Sequence, residues 1–203
     1  MKNFMRVFAI ALLLAGVGSA KAQAQEGNWF WGLQYMVTTG MSDTKEFVSG
    51  GISFRNFAIE GRYATSRNLT LGMYFAWNVF NHETDSTITN FGGTGADVSG
   101  FQHRYVNAFP ILATAHYYFG RPGGVRAYAG GGVGTYYIEN RLDIGRSALV
   151  SDNWHLGLAP EVGVIIPVDW NVRAYLNVKY NWALKAGGVE HTFFGFGLGF
   201  AWM

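Results

Sequence analysis

Residues 193–203 read FFGFGLGFAWM and divide, by alternate positions, into two unlike sets. Phe194, Phe196, Leu198, Phe200 and Trp202 fall on one face of a strand, and Phe193, Gly195, Gly197, Gly199 and Ala201 on the other. A soluble sheet packs its large apolar side chains on a core and turns polar ones to water. Here the second face is nearly bare and no charge appears on either. The bulky face asks for apolar surroundings of its own, and the small face for a crowded interior.

The same period of two recurs along the chain. Eight strands are expected, at about Asn28–Thr39, Phe54–Ala64, Leu69–Phe80, Phe101–Phe119, Val125–Asn140, Asn153–Pro167, Val172–Leu184 and Glu190–Trp202. The seventh sets Ala174, Leu176, Val178, Tyr180 and Trp182 against Arg173, Tyr175, Asn177, Lys179 and Asn181. The third sets Leu69, Leu71, Met73, Phe75, Trp77 and Val79 against Thr70, Gly72, Tyr74, Ala76, Asn78 and Phe80. A soluble eight-stranded barrel with the apolar face inward would need a charged exterior. Glycine, alanine and tyrosine cannot supply one. With the apolar face turned to lipid the pattern becomes consistent, because small and polar residues then fill a narrow lumen. Tryptophans at 29, 31, 154, 182 and 202 lie near strand ends, where amphipathic rings favour the membrane interface. A sheet in lipid must also close, since an open edge cannot be hydrated there. The fold expected is all-β: an eight-stranded antiparallel transmembrane up-and-down β-barrel.

Composition agrees. Charged residues are 14% of the 203, against about 25% in soluble domains. Cysteine is absent, so disulfides, thiolate zinc sites and thiol catalysis are excluded. The first residues carry Lys2 and Arg6, then the apolar run VFAIALLLAGV, then small residues around Ala20, Ala22 and Ala24. This is the form of a secretory signal, residues 1–24 with cleavage near 22–24, leaving 25–203 as the barrel domain. The apolar run is shorter than the ~20 residues that span a bilayer. Without Lys2, Arg6 and Lys21, twelve basic residues face thirteen acidic ones, so the net charge of +2 belongs to the leader and no nucleic-acid partner is implied. Long connections (TGMSDTKEFVSGG, NHETDSTITNFGGTGADVSG, RLDIGRSALVSD) alternate with short ones (TSRN, GRPGG, VDW), the layout of outer-membrane barrels with short periplasmic turns. The seventh connection, KAGGV, is short for its place, and Thr44–Gly51 has room for a helical turn.

The candidate site residues are the ionisable groups on the inner face: Glu60, Arg62, Arg104, Glu161, Arg173 and Lys179. Buried charges are costly unless paired, so these six are expected to form a polar network that fixes the interior or gates it. His82 lies among Glu83, Asp85 and Ser86, while His155 faces the lumen and His103, His116 and His191 lack ligand-spaced partners. Neither a catalytic set nor a metal or cofactor site is expected from that spacing. AYAGGGVGTYY, residues 127–137, has no GKS or GKT and no following helix, so its glycines serve packing or a bulge rather than phosphate. Pro110 and Pro160 fall inside strands, where each requires a bulge or a gap in the ladder, and the faces are expected to switch near Pro110.

Taken together, FAIEGRYATSRNLTLGMYFAWNVF, RYVNAFPILATAHYYFG, YAGGGVGTYYIE, HLGLAPEVGVIIP and VKYNWA resemble small bacterial outer-membrane β-barrel proteins of the OmpW-like and OmpA-barrel-like class, in the form found in Bacteroidetes. The resemblance covers nearly the whole chain after the leader and is architectural. It implies insertion by the outer-membrane assembly machinery, contact with outer-membrane lipid, and a structural role or a narrow conduit for a small apolar solute, opened through the barrel wall. Gly197, Phe200 and Trp202 resemble the C-terminal signal which that machinery reads, with Met203 one residue past the final aromatic. Two other readings stay open at this point, a lipid-A-modifying enzyme and a surface binding or adhesion barrel acting through its loops. A closed barrel resists detergent until heated: unheated protein is expected in the membrane fraction, with a gel mobility that shifts on boiling, and identical mobility before and after would contradict the fold.

Overall fold

A computed structural model of the protein describes residues 27–48, 51–90, 97–144 and 147–202, without side-chain detail at 83–102, 144 and 147. The leader with its cleavage positions (1–24) and Met203 lie outside the described residues. Eight strands pair in chain order, each antiparallel to the next: β1 (Trp29–Met41), β2 (Ile52–Ala64), β3 (Leu69–Asn90), β4 (Asp97–Tyr118), β5 (Arg126–Ile144), β6 (Ser147–Pro167), β7 (Val172–Ala186) and β8 (Val189–Trp202). β8 pairs with β1 from Trp202–Trp31 to Thr192–Met41, which closes the barrel. Residues paired across successive strands lead from Trp31 through Gly61, Met73, Ala113, Val133, Leu158, Trp182 and Thr192 back to Met41. The row therefore returns ten residues along β1, and a stagger of that size tilts the strands by roughly 40° to the axis.

Side chains alternate as the period of two requires. On β8, Phe193, Gly195, Gly197, Gly199 and Ala201 are buried in the lumen, while Phe196, Phe200 and Trp202 are exposed on the exterior. On β6 the outward face from Trp154 to Ile166 carries no charge. At ~3.3 Å per residue and this tilt, that face spans about 30 Å, the thickness of a hydrocarbon layer. Trp29, Trp31 and Trp202 mark the band at the end where β1 begins and β8 ends, here the proximal end. Toward the distal end Trp77, Phe109, Tyr137 and Trp154 form a run of touching rings, with centroids 6.2, 6.1 and 5.3 Å apart. Polar groups follow at once: Trp77 Nε1 donates to Asn107 Oδ1 (3.3 Å), Asn107 Nδ2 to Glu139 Oε1 (3.3 Å), and the Tyr137 hydroxyl to Asp152 Oδ2 (3.1 Å).

Four strands continue past this boundary. β3 and β4 are 22 residues each and β5 and β6 are 19 and 21, against 13 to 15 for the other four. The long second distal connection expected from sequence is therefore mostly paired strand, and the third shrinks to residues 145–146. A wall of sheet stands on the order of 25 Å above the band on one side. The helical turn also lies earlier than expected, as α1 (Ser42–Phe47). The short turn between β7 and β8 is explained by Gly187 and Gly188, whose φ of +60° and +92° suit the two central positions of a tight hairpin.

Both prolines sit in flat strand. Pro110 pairs with Tyr136 and Pro160 with Gly131 in unbroken register. On the other flank the ladders leave gaps, from Phe75–Ile111 to Asn78–Ala108 and from Leu158–Trp182 to Glu161–Lys179. The missing proline N–H costs ladder bonds without shifting register. The expected switch of faces at Pro110 does not occur: Val106, Ala108, Pro110, Leu112 and Thr114 all point inward.

Glycines make room for rings from the next strand. A Cβ at Gly157 would lie 2.6 Å from the Tyr136 ring and 3.0 Å from the Ala183 Cα, and one at Gly163 would meet the Tyr128 ring. Gly157→Val is expected to abolish the heat-shifted folded species in a refolding assay, whereas Leu156→Val, one residue away on the outer face, leaves it intact.

Candidate functional site: a charge-balanced plug in the lumen

The lumen is filled in three layers. The distal layer is built on an apolar cluster that includes Met36, Phe80, Val106, Leu112, Ile138 and Phe193, with Val48 from the segment after α1. The proximal layer holds Phe30, Tyr118, Tyr128, Ile165, Tyr175 and Ala201. Ionised groups lie between them.

The centre is Glu161 on β6, which is 3% exposed. Its Oε2 receives Lys179 Nζ (3.0 Å, β7) and His116 Nε2 (3.3 Å, β4). Its Oε1 accepts from the Tyr128 hydroxyl (2.7 Å), Asn177 Nδ2 (2.8 Å) and Arg62 Nη2 (3.4 Å). The same Arg62 nitrogen reaches Glu60 Oε2 at 2.8 Å, and Arg62 Nη1 donates to the Tyr118 hydroxyl at 2.6 Å. Arg62 also lies 4.9 Å from the centre of the Tyr128 ring, and Lys179 Nζ 3.1 Å from that of Tyr74, positions that favour a cation. Asn177 Nδ2 extends the network to Gln34 on β1 (3.1 Å). Two carboxylates thus face one guanidinium and one ammonium, and the formal charges cancel. A carboxylate only accepts, so His116 presents Nε2–H to Glu161.

β8 supplies the space for this arrangement. A Cβ at Gly199 would lie 2.6 Å from the Tyr175 ring, one at Gly195 2.6 Å from Met36 Cε, and one at Gly197 would collide with Asn177 and Gln34. On β1, a Cβ at Gly32 would lie 2.7 Å from the Tyr175 hydroxyl.

Of the six candidate residues, the register brings four together: Glu60, Arg62, Glu161 and Lys179. The other two share the inner face but not the height. Arg104 lies at the distal mouth, where its Nη1 donates to the Phe47 carbonyl (3.4 Å) below α1. Arg173 is buried at the proximal mouth, in a cavity shared with Arg67 and Arg126. Sequence reasoning assigned no role in the network to His116, Tyr118, Tyr128 or Gln34. Their inward phase on their strands was the available signal.

The distal mouth is covered by α1. Thr44 Oγ1 lies 2.9 Å from His191 Nδ1, Asn140 Nδ2 is 3.4 Å from His191 Nε2, and the Glu190 N–H donates to Asp43 Oδ2 at 2.9 Å. His155 is inward, as expected, with Nδ1 bonded to the Leu184 carbonyl (2.8 Å) and its ring 5.4 Å from that of His191. A hydroxyl, an imidazole and an amide in sequence have the form of a nucleophile, base and orienting group. Thr44 has no exposed surface, however, so this arrangement works as a latch. Among the described residues no group of three or more potential metal ligands converges.

A closed eight-stranded barrel with an apolar girdled exterior and a filled polar lumen is the architecture of small outer-membrane β-barrels. The solved structures similar to this chain are of that kind. Neisserial surface protein A matches with a TM-score of 0.56 at 18% identity, over 86% of this chain and 96% of that one. Ail, the attachment invasion locus protein of Yersinia pestis, in complex with the heparin analogue sucrose octasulfate, gives 0.53 at 12%, over 88% and 100%. The outer membrane protein OprG of Pseudomonas aeruginosa gives 0.50 at 15%, over 90% and 98%. No protein-family model matches the chain, and comparison with curated protein sequences finds no match.

Removing one member of a buried ion cluster strands its partners. Glu161→Gln is expected to lower unfolding stability in detergent by about 3–5 kcal/mol. The double variant Glu161→Gln/Lys179→Met should recover part of that loss, and denaturant titration of the folded band measures both. Equal stabilities for the two variants would contradict the pairing.

Proposed function

We propose that the protein is a non-enzymatic barrel of the bacterial outer membrane, sealed along its axis, that presents the β3–β6 wall at the cell surface. The observation that carries this reading is the cluster around Glu161, which occupies the middle of the lumen with its charges balanced within the barrel. An ion entering it would have to break bonds that are replaced by nothing equivalent. With the short connections in the periplasm, the proximal end faces inward and the long strands face outside. The wall gives a binding or adhesion role a rigid support. The described charges there are mixed, with Glu139, Asp143 and Asp152 beside Arg141, which argues for a partner other than a uniform polyanion. In this reading Gly197, Phe200 and Trp202 on the closing strand are the signal read by the assembly machinery, and outer-membrane lipid is the partner of the exterior.

A second reading, a lateral route for a small apolar solute as in OmpW-like proteins, is favoured by one feature. The ladder gap beside Pro160 opens on an exterior groove of about 290 Å³ lined by Ala129, Pro160, Val162, Val178, Tyr180 and Phe194. Glu161 lies directly behind it.

Planar bilayers containing the purified protein are expected to show no steady ion conductance above protein-free bilayers, and an epitope inserted between β3 and β4 should be detected on intact cells. A stable conducting state would refute the axial seal, and an epitope accessible only after lysis would refute the orientation. Uptake of an apolar dye into liposomes, without swelling in polar sugars, would select the lateral route.

A further inference from the structure

The central cluster balances its charges, while at the proximal mouth no described carboxylate pairs with Arg126. Arg126, at the start of β5, is only 2% exposed. Its Nη1 donates to the Arg67 carbonyl (3.0 Å), and its Nη2 donates to Asn68 Oδ1 (2.7 Å) and the Tyr118 carbonyl (3.1 Å). Its guanidinium carbon lies 5.2 Å from the centre of the Tyr118 ring. Every one of these acceptors is uncharged. Arg126 Nε is buried with no hydrogen-bond partner, as is the nearby Thr70 hydroxyl.

Arg126 lines a cavity of about 10 Å³ together with Phe30, Thr70, Tyr118, Arg67 and Arg173. That is room for one water-sized group. Arg173 is 4% exposed, whereas Arg67 stands exposed in the β2–β3 turn at the rim. Of the described carboxylates, Glu60 and Glu161 are committed to Arg62 and Lys179. Asp169, in the β6–β7 turn, accepts from its neighbour Trp170 N at 2.7 Å. Arg126 and Arg173 therefore share a cavity in which no described carboxylate pairs with Arg126, with Arg67 at its rim.

We infer that the proximal mouth is a binding site for a phosphate group. One phosphate oxygen fills the cavity and accepts from Arg126 Nε and the Thr70 hydroxyl. Arg67, on a flexible stem at the rim, closes over the outer oxygens. Guanidinium forks suit phosphate because parallel N–H donors match its oxygens, and convergent cations suit its double charge. Inorganic phosphate and the headgroup of a phospholipid in the adjoining leaflet present the same chemistry.

Arginine Nε–H resonances of the folded barrel in dodecyl maltoside micelles test the site. Inorganic phosphate is titrated in one arm, and short-chain phosphatidylglycerol is doped into the micelle in the other. A saturable shift of the Arg126 Nε–H with phosphate supports the site with a soluble ligand, and one with phosphatidylglycerol alone supports it with a headgroup. Arg126→Gln should weaken binding about tenfold or more, while Arg121→Gln, in the neighbouring turn outside the cavity, should leave it unchanged. Should Arg126→Gln not reach the heat-shifted folded form, Arg67→Gln replaces it and should also weaken binding. No shift in either arm, or equal responses from the wild type and the folded variant, overturns the proposal.

Discussion

A carboxylate held out of water in the middle of a narrow barrel sets the terms for the rest of the interior. Burial penalises the charge of Glu161, and that penalty is offset only where donors surround both oxygens. Lys179, Arg62, His116, Tyr128 and Asn177 do so from four strands. Such side chains are long or bulky, and an eight-stranded barrel has little room for them. The glycines follow from this. Gly32, Gly195, Gly197 and Gly199 lie where a single added carbon would strike Tyr175, Met36, Asn177 or Gln34. The bare face of FFGFGLGFAWM is thus the imprint of side chains reaching in from β1 and β7, and its bulky face is the lipid side of the same strand.

Mechanical and chemical roles are separated along the axis. Apolar packing and the α1 latch close the distal end, while the ionic layer ties strands together across the lumen. The two prolines remove ladder bonds on one flank each, beside strands whose other flank is intact. Two seams of the described wall thus lack ladder bonds beside a proline. At the β6–β7 seam the Leu158 carbonyl accepts from the hydroxyl of the inward-facing Tyr136 (3.2 Å), which ties the seam to the interior. Opening there would require moving Tyr136 out of the distal layer. Lateral access is consequently coupled to interior packing rather than to the wall alone.

Much of this was legible in the sequence because the side-chain period of a strand is two. Whichever way a strand is offset, Tyr74 and Asn78 share a face, and Leu71 and Met73 share the other. Height along the axis is a different matter. Glu60, Arg62, Arg104, Glu161, Arg173 and Lys179 all point inward, but which of them meet depends on the register of every intervening strand. A stagger of ten residues per circuit separates Arg104 and Arg173 from the other four. Strand length was illegible for a related reason. The sequence at the end of β3 and the start of β4 turns polar, and DSTITN or DVSG reads as loop once the hydrophobic alternation stops. Pairing continues there through backbone bonds, which leave no trace in hydropathy.

The arginines show how one rule produces two outcomes in the same lumen. Arg62 is surrounded by Glu60, Glu161 and the rings of Tyr128 and Tyr175, so its charge is answered entirely within the chain. Arg126 is as well buried, yet its partners are carbonyls and an amide, which orient a guanidinium without neutralising it. Fixed orientation with unbalanced charge is the condition of a preorganised anion receptor, since a ligand then meets donors that need no rearrangement. A purely structural arginine would gain by taking a carboxylate from its own barrel, as Arg62 takes Glu60 from two residues away on β2. The absence of such a carboxylate from the positions described around Arg126 turns the proximal mouth from a second plug into a place where a charge from outside the chain completes the structure.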